Sequence, residues 1–259
     1  MHPIALTNKN MVKQRFYRSI VTYNQSAIVQ KNIAQELVRM VSSIEGLKLD
    51  NILEIGCGTG FLTDAILKQY QPRQYILNDL VGLMQDEITK ITSKHNFSRW
   101  SFIEGDAEKI PFPGHLDLVI SSSTIQWFQD LVSFFKAISL SLKNNGTLAL
   151  STFGEKNFQE IKAISNIGLH YPSILELKTW LAPYFSDIQV KEDIIPLQFV
   201  SPREILLHVK QTGVNGIEYK KWGKSDLLHF ENTYKETFSI PGNMLGLTYH
   251  PVFVIARKR

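Results

Sequence analysis

The sequence predicts an α/β fold built on a doubly wound, seven-stranded and mostly parallel sheet. Strand and helix patterns alternate between residues 51 and 153, a glycine-rich turn follows the first strand, and polar residues end the next three strands. This alternation is typical of a parallel sheet with helices on both faces. Because ligands bind beyond the carboxyl ends of such strands, we expect Glu54, Asp79, Asp106 and Ser121–Ser123 to line one crevice.

The spacing of apolar residues predicts the individual elements. Residues 24–43 place apolar side chains at helical intervals, with Ile28 at the start of the apolar face. Strands are predicted over 51–56, 74–79, 100–106, 116–123, 146–153, 186–195 and 248–258, and helices over 60–70, 83–94, 130–142 and 173–185. Seven strands separated in this way give the sheet its expected size.

A helical insertion, 196–245, separates the last two predicted strands. Its first helix, 201–213, begins with a capping box in which Ser201 is the N-cap, Pro202 the first helical residue and Glu204 the third. A second amphipathic helix follows. We expect the insertion to form a cap over a substrate.

The predicted organisation is one domain, 1–259. Within it, residues 1–45 form an N-terminal helical lid segment, 46–155 form the cofactor-binding core, and the insertion forms the substrate cap. Two tyrosines of the lid segment, Tyr17 and Tyr23, are expected just before its helix, at the lip of the crevice.

Composition excludes several classes of protein. Hydrophobic residues make up 44% of the 259 positions and charged residues 20%, which indicates a folded globular chain. The longest apolar runs fall short of the roughly 18–20 residues of a membrane helix, and no signal-peptide pattern opens the chain. A single cysteine, Cys57, excludes an internal disulfide and argues against a zinc site. We expect a cytoplasmic protein that binds neither membranes nor metals.

The charge pattern favours an acidic partner over nucleic acid. The net charge is +4, and basic residues gather in 9–18, 219–224 and 256–259. These runs lack the interleaved aromatic residues of strand-binding modules. An acidic protein or an acidic small substrate therefore fits better.

The glycine-rich turn, "LEIGCGTGFL", favours a cationic nucleoside ligand. A dinucleotide fingerprint needs a third glycine where Phe61 stands, and a phosphate-binding P-loop needs a lysine that the turn lacks. Glu54 precedes the turn and is a poor neighbour for pyrophosphate. S-adenosylmethionine, with an ammonium, a sulfonium and no phosphate, fits this pattern.

Two further acids complete the predicted nucleoside site. Asp79 ends the second strand, where a carboxylate accepts hydrogen bonds from ribose hydroxyls in nucleotide-binding folds. Asp106 ends the third strand and is expected at the adenine amino group. The alternative is a tight strand–helix turn with surface acids. A nicotinamide dehydrogenase is disfavoured by Phe61.

Four segments resemble the successive motifs of the class I S-adenosylmethionine-dependent methyltransferases, whose fold is Rossmann-like. They are "LEIGCGTGFLT", "LND", "EGDAEKIPF" and "DLVISSSTIQWF", all within residues 45–155. The resemblance implies S-adenosylmethionine as the cofactor. It implies cofactor contacts at Glu54, Gly56, Cys57, Gly58, Gly60, Asp79, Leu80, Met84, Asp106, Ala107, Glu108, Ser121 and Ser122.

Segments outside these motifs resemble one group of that superfamily, the carboxyl methyltransferases of malonyl-acyl-carrier protein that begin pimeloyl (biotin) synthesis. They are "RFYRSIVTYNQSAIVQ", "IQWFQDL", "LALSTFGEKNFQEIK", "GLHYPS" and "LTYHPVFVIARK". The implied reaction methylates a free carboxylate, which is already ionised at neutral pH and needs no general base. Catalysis then consists of positioning and desolvation. Malonyl-CoA stays open as the alternative substrate.

Something in the site must hold the substrate carboxylate. The candidates are Tyr17, Tyr23, Gln126, Trp127 and Lys162. The histidines His170, His208 and His250 are expected to pack or to line the substrate site rather than to move protons. Basic residues near the N-terminus, Lys9, Lys13, Arg15 and Arg18, would steer an acidic carrier protein.

Two other functions stay open at this stage. One is methylation of a different small carboxylate or of a quinone-type substrate, where carbon or phenol chemistry would require a base. The other is a non-catalytic partner subunit that binds the cofactor and performs no chemistry.

Overall fold

The computed structural model describes residues 8–166, 168–212 and 222–259. Within them the chain divides into two compact units. The large unit comprises residues 28–152, 173–191 and 252–259, and the small unit comprises the described parts of 8–27, 153–172 and 192–251. The start of the predicted lid segment, the end of the predicted helix 201–213 and part of the basic cluster 219–224 lie outside the described residues.

The described residues form strands and helices with the following bounds. The strands are β1 Asn51–Ile55, β2 Gln74–Asp79, β3 Trp100–Glu104, β4 Leu116–Ser122, β5 Leu142–Phe153, β6 Phe185–Glu192, β7 Ile195–Phe199, β8 Ser239–Ile240, β9 Met244–Tyr249 and β10 Pro251–Lys258. The helices are α1 Lys9–Ser26, α2 Ile28–Ser42, α3 Phe61–Leu67, α4 Met84–Lys94, α5 Leu131–Ser141, α6 Gln159–Ser165, α7 Ile174–Leu181, α8 Pro202–Gln211 and α9 Lys224–Phe238. A 3₁₀ turn covers Ile125–Trp127.

The large unit is built on a seven-stranded sheet with the order β3-β2-β1-β4-β5-β10-β6. Strands β1 to β5 pair in parallel along β3-β2-β1-β4-β5. In β1 and β2 every residue after the first is buried, as expected for central strands covered on both faces. The predicted fold class is confirmed.

Strand alternation divides the side chains of β1 between the two faces of this sheet. Leu53 and Ile55 pack into a hydrophobic core that includes Phe134 and Phe135 of α5. The intervening residue, Glu54, therefore lies on the opposite face, where α2 and α3 pack together. This division decides where each polar residue near the glycine turn lies.

The small unit contains α1, α6, α8 and α9 and a three-stranded antiparallel sheet with the order β7-β9-β8. The sequence analysis predicted helices in the insertion and missed this sheet. It also joined β6 to β7 in one strand, 186–195, and β9 to β10 in another, 248–258. The second strand breaks at His250, whose backbone N–H bonds Asn157 and whose carbonyl bonds Gly154.

The predicted helix 24–43 belongs to two helices, α1 and α2, that meet at Ala27. The Ala27 N–H bonds the Tyr23 carbonyl and ends α1, and its ψ of 45° redirects the chain. Ile28, predicted on the apolar face, is 62% exposed. Tyr17 and Tyr23 lie inside α1, not before a helix as expected.

The helix caps in the structure agree in part with those that the sequence predicts. Ser201 accepts from the Glu204 N–H and Pro202 opens α8, as predicted. The Glu204 carboxylate, however, bonds the Val200 N–H, so the predicted box is not reciprocal. A reciprocal box was missed at the start of α7. None of the helices described here is long and apolar enough to cross a membrane.

Candidate functional site

Backbone hydrogen bonds join the carboxyl ends of β1, β2 and β3 into one edge. The Asn78 carbonyl accepts from the N–H groups of Gly56, at 2.8 Å, and Cys57, at 3.0 Å. The Asn78 amide donates to the carbonyls of Ile103 and Gly105, at 2.9 and 3.0 Å. The glycine turn and the ends of the two neighbouring strands therefore form a single rigid rim.

The end of β4 joins the same rim through hydroxyl groups. Ser121 is fully buried, and its hydroxyl donates to the Ile55 carbonyl at 2.8 Å. The Ser122 hydroxyl accepts from Ser151 on β5 at 3.0 Å. Both predicted cofactor residues thus tie strands together. Thr124, which sequence analysis did not select, donates to the Gly56 carbonyl at 3.3 Å.

The first glycine of the turn is required by its surroundings. Gly56 has a φ of +69°, and a Cβ there would lie 2.3 Å from the side chain of Thr124. Any other residue would face both a strained backbone and a direct clash. A Cβ at Gly58, by contrast, would meet nothing within 4 Å. The turn is therefore packed tightly at Gly56 and open at Gly58, where a ligand can approach the backbone.

Asp79 holds the open part of this turn. Its Oδ2 accepts from the Gly58 N–H and its Oδ1 from the Val81 N–H, both at 2.8 Å. A carboxylate offers about four lone-pair positions. Holding the turn and accepting from a ribose diol are therefore compatible roles for Asp79, which stays the predicted ribose ligand.

Glu54 lies in the interior, although the sequence analysis expected it in the crevice beside a cation. Its side chain is fully buried, and its Oε2 accepts from Thr63 of α3 at 2.9 Å and from the Tyr75 hydroxyl. Strand alternation places it there, as described above. Burial raises the pKa of Glu54 to about 7, against the hydrogen bonds from Tyr75 and Thr63.

The other predicted cofactor residues occupy mixed environments. Cys57 is buried within the turn, and burial, with Asp79 and Glu54 nearby, raises the pKa of its thiol. Gly60 caps α3 with a left-handed backbone. Leu80 is half-buried beyond β2, and Met84 is buried at the start of α4.

Two acidic residues in the segment after β3 accept hydrogen bonds from nearby backbone N–H groups. Asp106 accepts from the Glu108 N–H at 3.1 Å, and Ala107 packs against the hydrophobic core. The Glu108 carboxylate bonds the N–H groups of Gln129 and Asp130, at the start of α5. Glu108 thus holds the backbone at the start of α5, while Asp106 lies two residues beyond the end of β3 and its contact with adenine stays a prediction.

The five candidate substrate residues lie in two different units. Gln126 and Trp127 are buried in the 3₁₀ turn after β4, in the large unit. The other three belong to the small unit: Tyr17 is 58% exposed on α1, Tyr23 contacts Phe16 edge-on, and Lys162 is exposed on α6. Within the large unit, Gln126 and Trp127 thus follow the strand end that joins the rim.

The three histidines considered in the sequence analysis all belong to the small unit. His250 accepts from the Lys156 N–H and bonds Glu192, and His208 bonds the Tyr249 hydroxyl at 2.8 Å. Burial lowers the pKa of His208. Both are packed in the small unit, as expected for structural histidines. His170 is exposed.

The polar groups at the rim fit S-adenosylmethionine. The turn presents backbone without a lysine, Asp79 is placed for a ribose, and Gln126 donates to the Ser123 carbonyl at 2.6 Å. That bond fixes the orientation of the amide, because a carbonyl requires a donor. Within the part of the chain that the structure describes, Gln126 Oε1 and the Ser123 hydroxyl are then buried without partners. Such atoms mark a place where a ligand completes the hydrogen bonding.

Sequence comparison gives full-length relatives. A family model described as a methyltransferase domain matches residues 52–146. A malonyl-[acyl-carrier protein] O-methyltransferase of Prosthecochloris aestuarii is 37% identical over 97% of this chain and 94% of its own length. The protein of the same name from Bacteroides helcogenes is also 37% identical, over 97% of this chain and 99% of its own.

Comparison with solved structures gives the same fold. The YcgJ protein of Bacillus subtilis superposes with a TM-score of 0.63 at 18% identity, over 86% of this chain and 97% of its own. A phosphoethanolamine N-methyltransferase of Haemonchus contortus, solved with S-adenosyl-L-methionine, gives a TM-score of 0.56 at 18% identity, over 86% of this chain and 52% of its own. At these identities the likeness concerns the fold.

Proposed function

Because this chain belongs to the malonyl-[acyl-carrier protein] O-methyltransferase family, we propose that it methylates the free carboxylate of malonyl-acyl-carrier protein, the opening step of pimeloyl (biotin) synthesis. The chain is a methyltransferase, and its cofactor is S-adenosylmethionine. The observation that carries the proposal is the rim itself: a lysine-free glycine turn held by Asp79 beside buried polar groups of the turn after β4 that lack partners among the described residues.

The proposed reaction requires positioning rather than proton transfer. When bound, the cofactor supplies an electrophilic methyl group on a sulfonium. A malonyl carboxylate has lost its proton at neutral pH. Held about 3 Å away in line, its oxygen would bond the methyl carbon as the sulfur–methyl bond breaks and S-adenosylhomocysteine leaves. The chain's task is to hold both partners and to exclude water. This agrees with a rim that carries acceptors and hydroxyls.

We assign the cofactor to the large unit. The glycine turn would lie against its amino-acid and sugar portions, and Asp79 would accept from the ribose hydroxyls. Asp106, at the end of β3, would meet the adenine. These roles rest on the positions of strand ends along the rim and on the hydrogen bonds of Asp79.

The candidates for the substrate carboxylate stay predictions, and each belongs to one of the two units. Gln126 and Trp127, in the turn after β4 of the large unit, offer an amide and an indole. Tyr17, Tyr23 and Lys162, in the small unit, offer hydroxyls and a cation. Hydroxyl and ammonium donors recognise a carboxylate without removing its charge. A carboxylate that is held too tightly would be a poorer nucleophile.

The partner is proposed to approach α1. This helix contains Lys9, Lys13, Arg15 and Arg18 and no acidic residue. Acyl carrier proteins are acidic, so opposite charge would steer their encounter with this helix. Malonyl-CoA is also anionic and is the second substrate to be tested.

The experiment compares methyl acceptors. The protein is incubated with methyl-labelled S-adenosylmethionine and malonyl-acyl-carrier protein, malonyl-CoA or free malonate, and the products are analysed by mass spectrometry. We expect one added methyl ester on the malonyl group of the carrier protein. Acetyl-acyl-carrier protein, which lacks the free carboxylate, is the matched control and should gain no label.

Each outcome has a defined meaning. Faster labelling of malonyl-CoA than of the carrier protein would replace the carrier with the coenzyme ester as substrate. Labelling of free malonate alone, or of none of the three, would overturn the proposal.

A further inference from the structure

Gln30, a residue that the sequence analysis did not select, carries an unsatisfied amide in the interior of the large unit. The residue is 4% exposed. Among the residues that the structure describes, neither its Nε2 nor its Oε1 has a hydrogen-bond partner. A buried, unpaired amide costs roughly 1–3 kcal/mol. A group of this kind calls for a specific explanation.

The position of Gln30 places it near the glycine turn. At the far end of α2, Ser42 bonds Gln69 and Tyr70, which directly follow α3. Because α2 and α3 pack together, the contacts of Ser42 place their C-terminal ends side by side. The 15 residues of α2 exceed the 7 of α3, so at about 1.5 Å per residue the first turn of α2 extends past the N-terminal end of α3. That end is the glycine turn, and Gln30, in the first turn of α2, therefore lies at the same end of the helix pair as the turn.

The chemistry of an amide matches one end of the cofactor. The methionine portion of S-adenosylmethionine carries an ammonium, which donates, and a carboxylate, which accepts. An amide offers one acceptor oxygen and a donor nitrogen. Glu54, which the sequence analysis expected beside a cation, lies in the interior with Thr63 and Tyr75. The methionine end therefore needs another partner.

We propose that Gln30 binds the methionine end of the cofactor, its Oε1 accepting from the ammonium and its Nε2 donating to the carboxylate. The inference rests on the cofactor and not on the malonyl substrate. It makes Gln30 a binding residue whose interior position is unfavourable in the unliganded chain. Hydrogen bonds from the bound ligand to the Gln30 amide would remove this unfavourable free energy of burial.

The test uses two ligands that differ only at this end. S-adenosylhomocysteine keeps the amino-acid portion, whereas 5′-methylthioadenosine lacks it. Their dissociation constants are measured by calorimetry for the natural chain and for Gln30→Met, an apolar replacement of similar length. We expect S-adenosylhomocysteine to bind about tenfold more weakly to the variant, equivalent to about 1.4 kcal/mol, and methylthioadenosine to bind within twofold of the natural chain.

A stability measurement gives an independent readout. Because Gln30→Met replaces unsatisfied polar atoms by apolar ones, its melting temperature without ligand should equal or exceed that of the natural chain. Asn32→Met, an exposed amide replaced on the same helix, is the control and should change neither ligand's affinity.

Three results would overturn the inference: equal weakening of both ligands, unchanged binding of S-adenosylhomocysteine, or a lower melting temperature for Gln30→Met without ligand. The first and third would make the amide a structural group. Unimpaired binding of S-adenosylhomocysteine by the natural chain would at the same time leave the proposed function untouched.

Discussion

The two compact units treat their buried polar side chains differently. In the small unit the buried polar groups are bonded to one another: Glu160 to Thr248, His250 to Lys156, and Asn157 to Tyr171. In the large unit, several buried side-chain atoms are without partners among the described residues. They are Nε2 and Oε1 of Gln30, Oε1 of Glu54, Oγ of Ser123, Oε1 of Gln126 and Oγ1 of Thr152.

Two buried glutamates show the difference most clearly. Glu160 is 6% exposed, and each of its oxygens accepts a bond from Thr248. Glu54 is fully buried, and one oxygen accepts two bonds while the other, within the described structure, accepts none. Satisfied polar groups stabilise a fold, whereas unsatisfied ones are retained where a ligand or a proton completes them. Whether a buried polar group has hydrogen-bond partners therefore distinguishes structural groups from candidate functional ones.

The largest effect should come from removing the satisfied glutamate. Glu160→Ala leaves the Thr248 N–H and hydroxyl buried without acceptors and opens a cavity. We expect the free energy of unfolding to fall by about 4 kcal/mol, measured by urea denaturation. Glu155→Ala, at an exposed site in the same segment, should change it by less than about 0.5 kcal/mol. A decrease in unfolding free energy as small as that of the control would mean that the hydrogen bonds of Glu160 do not stabilise the small unit, and the proposed difference between the units would be wrong.

Glu54 should make stability depend on pH. Its pKa in the folded chain is raised to about 7 from 4.5 because of burial. Between these values the folded state keeps a proton that the unfolded state has released, so stability decreases as pH rises through this range and levels off above it. A shift of this size corresponds to roughly 3 kcal/mol. Glu54→Gln cannot titrate and should not show this decrease.

The measurement is the unfolding free energy of the natural chain and of Glu54→Gln at several pH values. The advantage of the variant should grow between about pH 4.5 and pH 7 and stay constant at higher pH. Parallel pH profiles for the two proteins would mean that Glu54 ionises normally and that its environment differs from the one described.

The next largest effect should be the loss of ligand affinity when Asp79 is replaced. Asp79→Ala removes the predicted ribose acceptor and releases the Gly58 N–H from its bond. We expect S-adenosylhomocysteine to bind at least tenfold more weakly, equivalent to about 1.4 kcal/mol, by calorimetry. Asp86→Ala, an exposed acid in the first turn of α4, serves as the matched control. Unchanged affinity of the Asp79 variant would remove it from the ribose site.

Sequence patterns predicted the parallel half of the fold well, for local reasons. The strand over 74–79 has the predicted bounds, and Asp79 lies at the rim because parallel strands end at one edge. The glycine spacing identified the turn because its backbone geometry is encoded in adjacent residues. These are features that a few consecutive residues determine.

Features that depend on distant contacts were missed. The apolar run around Glu54 does not show which face of the sheet its side chain takes, and the break at Ala27 has no glycine or proline to mark it. Strand β7 forms by pairing with a strand far along the chain, with Ile195 opposite Tyr249. Gln30 left one readable signal: it shares a helical face with Ala34, Leu37 and Val41, all buried. A polar residue on an apolar face marks a candidate binding group.

The smallest and most direct test of the contrast pairs two buried threonines. Thr152 of the large unit is 1% exposed, and within the described chain its hydroxyl has no partner. Thr212 of the small unit is also 1% exposed, but its hydroxyl donates to the His208 carbonyl at 3.0 Å.

Replacing each threonine by valine tests this difference, because valine has nearly the same shape as threonine without the hydroxyl. We expect Thr152→Val to raise the unfolding free energy by about 0.5 kcal/mol and Thr212→Val to lower it by about 1 kcal/mol, measured side by side in urea. If both variants lose stability equally, the Thr152 hydroxyl is as well satisfied as that of Thr212. The end of β5 would then not contribute to the difference between the two units.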